Sequence, residues 1–176
     1  MTAADGPRVV LIGPPGAGKT SVGRALAERW DLDFRDTDED VEAVAGKVVA
    51  DIFVDDGEGR FRELEAAAVA NALAEHTGVL ALGGGALTTP ETRDRLTGHR
   101  VVFLDVGLAE ASSRVGLGST RPLLLGNVRS QLKALLDARR PLYTSAASAT
   151  VVTDGLSVDE VVEAVMTVVE QQIGAP

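Results

Sequence analysis

Residues 13–20 read Gly13-Pro14-Pro15-Gly16-Ala17-Gly18-Lys19-Thr20, which matches the phosphate-binding P-loop pattern G-x-x-x-x-G-K-[ST]. The stretch follows an apolar run, VVLI at residues 9–12, and precedes a helical pattern, so it has the strand–loop–helix context that the motif requires. Its glycines allow backbone N–H groups to surround an anion, and the helix adds the positive end of its dipole. The stretch therefore predicts nucleotide binding, with Lys19 on the β- and γ-phosphates and the Thr20 hydroxyl on Mg²⁺. We expect Ser21, the next residue, to belong to the same ATP-binding segment.

The composition limits the class of protein. The chain has 176 residues, 45% of them apolar, which suits a single α/β domain over residues 1–176 with a full core. A net charge of −9 without a lysine- or arginine-rich block argues against a nucleic-acid surface. Cysteine is absent, so disulfides and thiolate chemistry are excluded. We find no signal peptide and no stretch that could span a bilayer, and we expect a cytoplasmic protein.

Apolar segments alternate with helical patterns along the chain, and they predict five strands. The predicted strands are residues 8–12, 32–35, 79–82, 100–105 and 150–153. Short strands that alternate with helices indicate a parallel sheet covered on both faces. In such sheets ligands bind beyond the carboxyl ends of the strands, so functional residues should directly follow strands.

The predicted helices have recognisable ends. We expect helices over residues 21–30, 37–45 with Thr37 as N-cap, and 58–75, and another from a cap at Asn127 toward Tyr143 that Pro141 bends or ends. Ser157 and Glu160 form a capping box for the last helix. That helix carries apolar residues near a period of 3.6, at Val158, Val161, Val162, Val165, Val169 and Ile173.

Two groups of residues follow predicted strands, where a ligand site is expected. Asp36 and Asp38, two residues apart on an extended chain, project to the same side. One carboxylate could help to hold Mg²⁺ through water, and another could accept a proton from a hydroxyl nucleophile. As an alternative, the pair is an acidic helix amino terminus. Gly83-Gly84-Gly85 permits close approach of the backbone to a ligand, or is a plain flexible turn.

Three arginines complete the candidate constellation. Arg62 has Glu65 three residues later, within reach to orient its guanidinium, and Arg139 stands two residues before Pro141. Residues 116–126 carry glycines at both ends and Arg121 in the middle, which is typical of a lid that closes over phosphates, although a surface loop is the alternative.

Taken together, these segments resemble the shikimate kinase family. The matching pieces, in the family's order and approximate spacing, are GPPGAGKT at 13–20, DTD at 36–38, FRELE at 61–65, LGGGA at 82–86, RPLL at 121–124 and RRPLY at 139–143. The resemblance implies Mg²⁺- and ATP-dependent phosphorylation of the 3-hydroxyl of shikimate, in chorismate and aromatic amino-acid biosynthesis in the cytoplasm. It also implies a three-layer α/β/α P-loop NTPase fold, with a five-stranded parallel sheet in the order 2-3-1-4-5.

The resemblance also implies a role for each matching residue. Lys19 serves the phosphates, and Thr20 and Asp36 the metal. Asp38 contacts the substrate hydroxyls and is the candidate base, within a substrate-binding region of about residues 37–65. Arg62 and Arg139 clamp the substrate carboxylate, and the backbone of Gly83, Gly84 and Gly85 lines the substrate ring. Arg121 comes from the lid. Arg139 is preferred to Arg140 from the spacing to Pro141, and Arg114 is the one candidate offered for adenine. We expect a monomer that binds shikimate and ATP.

Three other functions are compatible with a P-loop. One is a small kinase that acts on a sugar acid or a nucleoside monophosphate, although the sequence offers no pocket for a second base. Another is a GTP-dependent switch. Such proteins usually carry an N-K-x-D motif, which this sequence lacks. The third is a catalytically silent relative, against which the intact Lys19, Asp36, Asp38, Arg62 and Arg121 argue.

Overall fold

The computed structural model describes residues 6–117 and 125–174. Every predicted strand is present, with bounds within two residues of the prediction. The strands are β1 (Val9–Ile12), β2 (Phe34–Asp36), β3 (Val79–Ala81), β4 (Val101–Asp105) and β5 (Ala149–Val152). The helices are α1 (Lys19–Trp30), α2 (Thr37–Ala45), α3 (Val49–Glu75), α4 (Pro90–Arg95), α5 (Leu108–Leu117), α6 (Leu125–Ala146) and α7 (Val158–Gly174), with a short 3₁₀ helix at Ala86–Thr88.

The strands form one parallel sheet in the order β2-β3-β1-β4-β5, which confirms the predicted order. β1 lies in the centre, where Leu11 is in register with Ala81 of β3 and Val102 of β4. The carboxyl ends of β1, β2 and β3 therefore lie side by side. Residues that follow these three strands, the P-loop, Asp36 to Asp38 and Gly83 to Gly85, are brought to one edge of the sheet.

Helices cover both faces of the sheet, as the alternation of side chains along β1 shows. Leu11 packs in a cluster with residues of α1 and α7, among them Val165. Its neighbour Ile12 packs in a second cluster with residues of α3 and α6, among them Val69. Consecutive strand residues point to opposite faces, so the two clusters are separate layers of core and the architecture is α/β/α.

A third, smaller cluster joins α2 to α3 beside the sheet. Val41 of α2 packs with Ile52, Phe61 and Ala68 of α3. The helix prediction for residues 58–75 was correct in its end but missed the segment that begins at Val49. Gly57, with φ 86° and ψ 165°, interrupts the helix between the two parts, which explains why the sequence pattern starts anew after it.

Several predicted helix ends need correction. Asp36, not Thr37, is the N-cap of α2, because its side chain accepts a hydrogen bond from the backbone N–H of Asp38. α6 begins at Leu125 and not at a cap on Asn127. Pro141 does not end α6, which continues to Ala146. Two helices, α4 and α5, were not predicted from the sequence.

The last helix agrees with its pattern. The Ser157 hydroxyl accepts from the N–H of Glu160 at 3.1 Å, and the Glu160 carboxylate accepts from the N–H of Ser157 at 3.0 Å, so the capping box is confirmed. The middle of the apolar face is buried, whereas Val158 and Ile173 at its two ends are 44% and 49% exposed. Among the described residues, no helix combines the length and apolar character that a membrane span requires.

Gly78, directly before β3, lies close to the backbone of Asp33. A Cβ at this position would lie 2.1 Å from the carbonyl oxygen of Asp33, which accepts a hydrogen bond from the N–H of Val79. We expect Gly78→Ala to push β2 from β3 and to lower the free energy of unfolding by about 1–3 kcal/mol. Thermal denaturation measures the change. Gly59→Ala, in α3 with open space around it, is the control and should stabilise by about 0.5–1 kcal/mol.

Candidate active site

The P-loop connects β1 to α1 and takes the backbone conformation that its glycines allow. Gly16 and Gly18 have φ of 84° and 91°, in the left-handed region. Lys19 is the first residue of α1, and its ammonium folds back over the loop. It donates to the carbonyl oxygens of Gly13 at 2.7 Å and Pro14 at 3.1 Å. The cation is therefore held at the mouth of an anion-binding loop.

The charge of Lys19 is held in an unfavourable environment. Burial, together with a smaller effect of the positive charge of Arg139, lowers the pKa of the ammonium to about 8. The carboxylates of Asp38 and Asp36 act in the opposite direction. A bound polyanion would favour the charged form of Lys19, because an opposite charge nearby favours ionisation.

The two carboxylate oxygens of Asp36 accept hydrogen bonds from two different residues. Oδ1 caps α2 by accepting from the N–H of Asp38 at 2.9 Å. Oδ2 accepts from the hydroxyl of Thr20 at 3.3 Å, which ties the end of β2 to the start of α1. A hydroxyl and a carboxylate beside a phosphate-binding loop are hard oxygen donors, and Mg²⁺ is usually held by such groups together with water and phosphate oxygens. These two residues thus fit a magnesium site.

Thr37 is a residue whose role sequence reasoning missed. It is fully buried, and its hydroxyl accepts from the N–H of Gly83 at 3.2 Å. The contact holds the segment after β2 against the segment after β3. No local signal distinguishes it, because a threonine at this position reads equally well as an N-cap.

Asp38 lies between the P-loop and the glycine segment. Burial and the negative charges of Asp36 and Glu65 raise its pKa to about 6, against the attraction of Lys19. A Cβ added to Gly83 would lie 2.5 Å from Oδ1 of Asp38, so the carboxylate lies directly over the backbone there. A carboxylate with a pKa near neutrality is suited to orient a hydroxyl and to accept its proton.

Arg62 stands on the other side of the glycine segment, as a residue of α3. Its guanidinium donates to the buried carboxylate of Glu65 at 2.6 Å and pairs with Glu58 at 3.5 Å. A Cβ added to Gly85 would lie 2.5 Å from Nη2 of Arg62. Glu65 thus orients the guanidinium, as the spacing in the sequence suggested, and Gly85 leaves the space that it needs.

α6 presents two adjacent arginines to different partners. Arg139 acts on the charges of Lys19 and Glu65, on the side of the site. Arg140 forms an ion pair with Asp105 at the end of β4. One turn further, the buried Tyr143 donates its hydroxyl to the carbonyl oxygen of Gly84. Tyr143 is a second residue that sequence reasoning left without a role.

Two cavities flank the P-loop. The first, of about 330 Å³, is lined by the loop together with Thr20, Asp36, Asp38, Gly83 and Gly84. The second, of about 360 Å³, lies behind Gly18 and Ser21 and is lined by Arg114, Leu156 and Val158. Arg114 donates to the carbonyl oxygen of Gly16 at 2.8 Å and pairs with Glu110 at 2.6 Å. The predicted lid arginine, Arg121, lies outside the described residues, with most of the predicted lid.

The fold and the site together define a class. A P-loop at the central strand of a 2-3-1-4-5 parallel sheet, facing a carboxylate and two arginines at the same edge, is the arrangement of a small-molecule kinase of the P-loop type. A family model described as shikimate kinase matches residues 15–170. The chain belongs to the shikimate kinase family.

Individual relatives agree with this assignment. A shikimate kinase from Salinispora arenicola (strain CNS-205) is 61% identical over 85% of this chain and 89% of that protein. One from Thermobifida fusca (strain YX) is 59% identical over 89% of this chain and 91% of that protein. A solved shikimate kinase from Acinetobacter baumannii, in complex with shikimate, superposes with a TM-score of 0.88 at 32% identity. The superposition covers 97% of this chain and 96% of that one.

The raised pKa of Asp38 predicts a cost in stability. The folded-state pKa of about 6 exceeds the usual aspartate value of 3.8, so folding loses stability as the pH rises through this window and the loss is complete above it. We expect Asp38→Asn, which removes the charge, to raise the free energy of unfolding by about 1–2 kcal/mol at pH 7.5. Thermal denaturation at pH 5 and 7.5 tests this, and the advantage should shrink at pH 5.

Asp94→Asn, at an exposed position on α4, is the matched control and should change little at either pH. An Asp38→Asn protein that unfolds at or below the temperature of the wild type at pH 7.5 would contradict the stated electrostatic cost.

Proposed function

We propose that this chain phosphorylates the 3-hydroxyl of shikimate with ATP, giving shikimate 3-phosphate and ADP, in chorismate and aromatic amino-acid biosynthesis. The observation that carries the proposal is that cationic groups from two parts of the chain lie at one edge of the sheet. They are Lys19 of the P-loop and the pair Arg62 and Arg139. Asp38 lies between them. Family membership and the shikimate-bound relative from Acinetobacter baumannii support it.

ATP is assigned to the P-loop. Backbone N–H groups of the P-loop, which Pro14 and Pro15 lack, surround its phosphates together with Ser21. Lys19 leaves the carbonyl oxygens of Gly13 and Pro14 to reach the β- and γ-phosphates. This exchange suits a cation whose pKa has been lowered by burial, because the phosphates supply the negative charge that the free site lacks.

Shikimate is assigned to the part of the site where Arg62 and Arg139 lie, next to the P-loop cavity. Arg62 and Arg139 take its carboxylate, and the backbone of Gly83, Gly84 and Gly85 lines its ring. Two guanidinium groups on one rigid carboxylate restrict rotation of the ring and so aim one hydroxyl at phosphorus. Glu65 holds the Arg62 guanidinium in place through the 2.6 Å ion pair, so the Arg62 side chain loses little conformational freedom when shikimate binds.

Asp38 is assigned to the reacting hydroxyl. With a pKa of about 6, it is ionised at neutral pH and remains basic enough to accept a proton as the oxygen attacks. The transferred group passes through a loose transition state, so positioning and charge stabilisation contribute more than covalent chemistry. Lys19 stabilises charge on the transferring group, and we assign the same role to Arg121 of the lid.

Thr20 and Asp36 are the residues that would hold Mg²⁺. The chemistry that the bound ion supplies is neutralisation of charge on the β- and γ-phosphates. The 3.3 Å hydrogen bond between the two side chains keeps both donors together at the end of the P-loop before any metal binds.

The nucleoside is assigned to the 360 Å³ cavity behind Gly18 and Ser21. The cavity combines the Arg114 guanidinium with the apolar Leu156 and Val158, and such a lining suits a flat base. Arg114 is held in place by Gly16 and Glu110, so its plane is fixed before the nucleotide arrives.

The remaining assignments concern the whole chain. We propose one domain over residues 1–176, with substrate bound by about residues 37–65 and a lid at about residues 116–126. We also propose that the protein acts as a monomer in the cytoplasm, without nucleic-acid or membrane partners, in keeping with its net charge of −9.

A coupled assay of ADP release tests the proposed reaction. The protein is given ATP and Mg²⁺ with shikimate, gluconate or AMP as acceptor, and a fourth reaction has no acceptor. We expect rapid ADP release with shikimate alone and slow hydrolysis without acceptor. Faster release with gluconate or AMP would replace the proposed substrate with a sugar acid or a nucleotide.

Arg62→Ala tests the carboxylate clamp. Removing a charged hydrogen-bonding partner should raise the KM for shikimate by about tenfold or more and leave the KM for ATP within about twofold. Steady-state kinetics with each substrate varied in turn measures both. Arg60→Ala, which breaks an exposed ion pair with Glu63 on the same helix, is the control and should leave both constants unchanged. An equal rise in both KM values for Arg62→Ala would contradict the clamp.

A further inference from the structure

One turn of α6 carries three side chains, of which Arg139 and Tyr143 hydrogen-bond to each other and Arg140 has a different partner. Arg139 lies on the side of Lys19 and Glu65, Arg140 pairs with Asp105, and the Tyr143 hydroxyl donates to Gly84. Successive residues of a helix point about 100° apart, so a small rotation or shift of this turn would redirect all three. The position of Arg139 therefore depends on what fixes this part of the helix.

The partner of Arg140 is itself held firmly. Asp105 ends the buried strand β4, and its carbonyl oxygen accepts from the N–H of Thr153 at 2.8 Å and from the Thr153 hydroxyl at 3.2 Å. The backbone of Asp105 is thus part of the sheet. The ion pair with Arg140 therefore connects α6 to the sheet.

The charges near Arg139 make its position sensitive to shifts of α6. The Lys19 ammonium repels Arg139, and the Glu65 carboxylate, which Arg62 binds at 2.6 Å, attracts it. Because both forces depend on distance, a small shift of α6 changes the balance between them. Pro141 lies two residues beyond Arg139 and has no N–H to donate, so the helix lacks one of its own hydrogen bonds nearby.

The ion pair is not well placed to contribute much stability. The side chains of Arg140 and Asp105 are 40% and 24% exposed, and partly exposed pairs contribute little to the free energy of unfolding. Its effect on geometry is greater, since it acts one residue from Arg139. Tyr143, packed against Phe103 of β4 with ring centroids 5.0 Å apart, provides a second connection to the same strand.

We propose that Arg140 is a positioning residue for shikimate. Its ion pair with Asp105 connects α6 to β4, so that the Arg139 guanidinium stays aimed at the substrate carboxylate. Arg140 itself does not contact the substrate. This inference rests on the proposed function, because it assigns to Arg140 an effect on shikimate binding.

The test is a double-mutant cycle read through both substrates. Arg140→Gln and Asp105→Asn should each raise the KM for shikimate by about fivefold to tenfold, and the KM for ATP should stay within about twofold. The double variant should be no worse than either single variant, because each removes the same connection. Arg140→Lys, which retains the positive charge, should restore the KM for shikimate to within about twofold of the wild type.

Arg29→Gln is the matched control. It breaks a single ion pair between α1 and α7, with Glu163, which has no part in the site, and Arg29 is 45% exposed against 40% for Arg140. It should leave both KM values unchanged while it alters the unfolding temperature to an extent comparable with Arg140→Gln. This comparison separates a general loss of stability from an effect on substrate binding.

Three results would overturn the inference. They are an unchanged KM for shikimate in Arg140→Gln, an equal rise in the KM values for both substrates, and additive effects in the double variant. A wild-type protein that does not phosphorylate shikimate would instead refute the proposed function. The wild-type assay comes first, so the two failures are distinguishable.

Discussion

The site depends on a steric constraint at the three glycines that follow β3. A Cβ at Gly83 would meet Asp38 at 2.5 Å, one at Gly84 would meet Pro15 at 3.0 Å, and one at Gly85 would meet Arg62 at 2.5 Å. Three different parts of the chain therefore approach one stretch of bare backbone. A side chain at any of these three positions would displace a neighbouring group, so the close approach of Asp38, the P-loop and Arg62 requires that this segment has none.

Bringing these parts together has an electrostatic cost. Burial lowers the pKa of Lys19 to about 8 and raises that of Asp38 to about 6, so both groups are held where their charged forms are less favoured than in water. The fold sustains this through a large apolar core on both faces of the sheet and through contacts such as Thr37 with Gly83. An anionic ligand offsets the cost at Lys19, because it supplies a counter-charge for the ammonium.

Much of the fold was predictable from the sequence, since strands buried on both faces read as continuous apolar runs. The family followed from short motifs in a fixed order, and the family match confirms it. Helix ends were predicted less well. Asp36 was not recognised as the N-cap of α2, because Asp and Thr are both good caps and only the hydrogen bond to Asp38 distinguishes them. The segment of α3 before Gly57 was missed, because its contact with α2 is tertiary.

By itself, the sequence determined the phosphate-binding loop, the parallel sheet and the kinds of charge at its edge, because these depend on residues close together in the chain. Only the tertiary structure showed that Arg140, the arginine that the spacing to Pro141 did not favour, pairs with Asp105. It alone placed Thr37 on Gly83 and Tyr143 on Gly84. A side chain's partner across 46 or 59 residues is set by where the strands and helices pack, and local spacing carries no information about that distance.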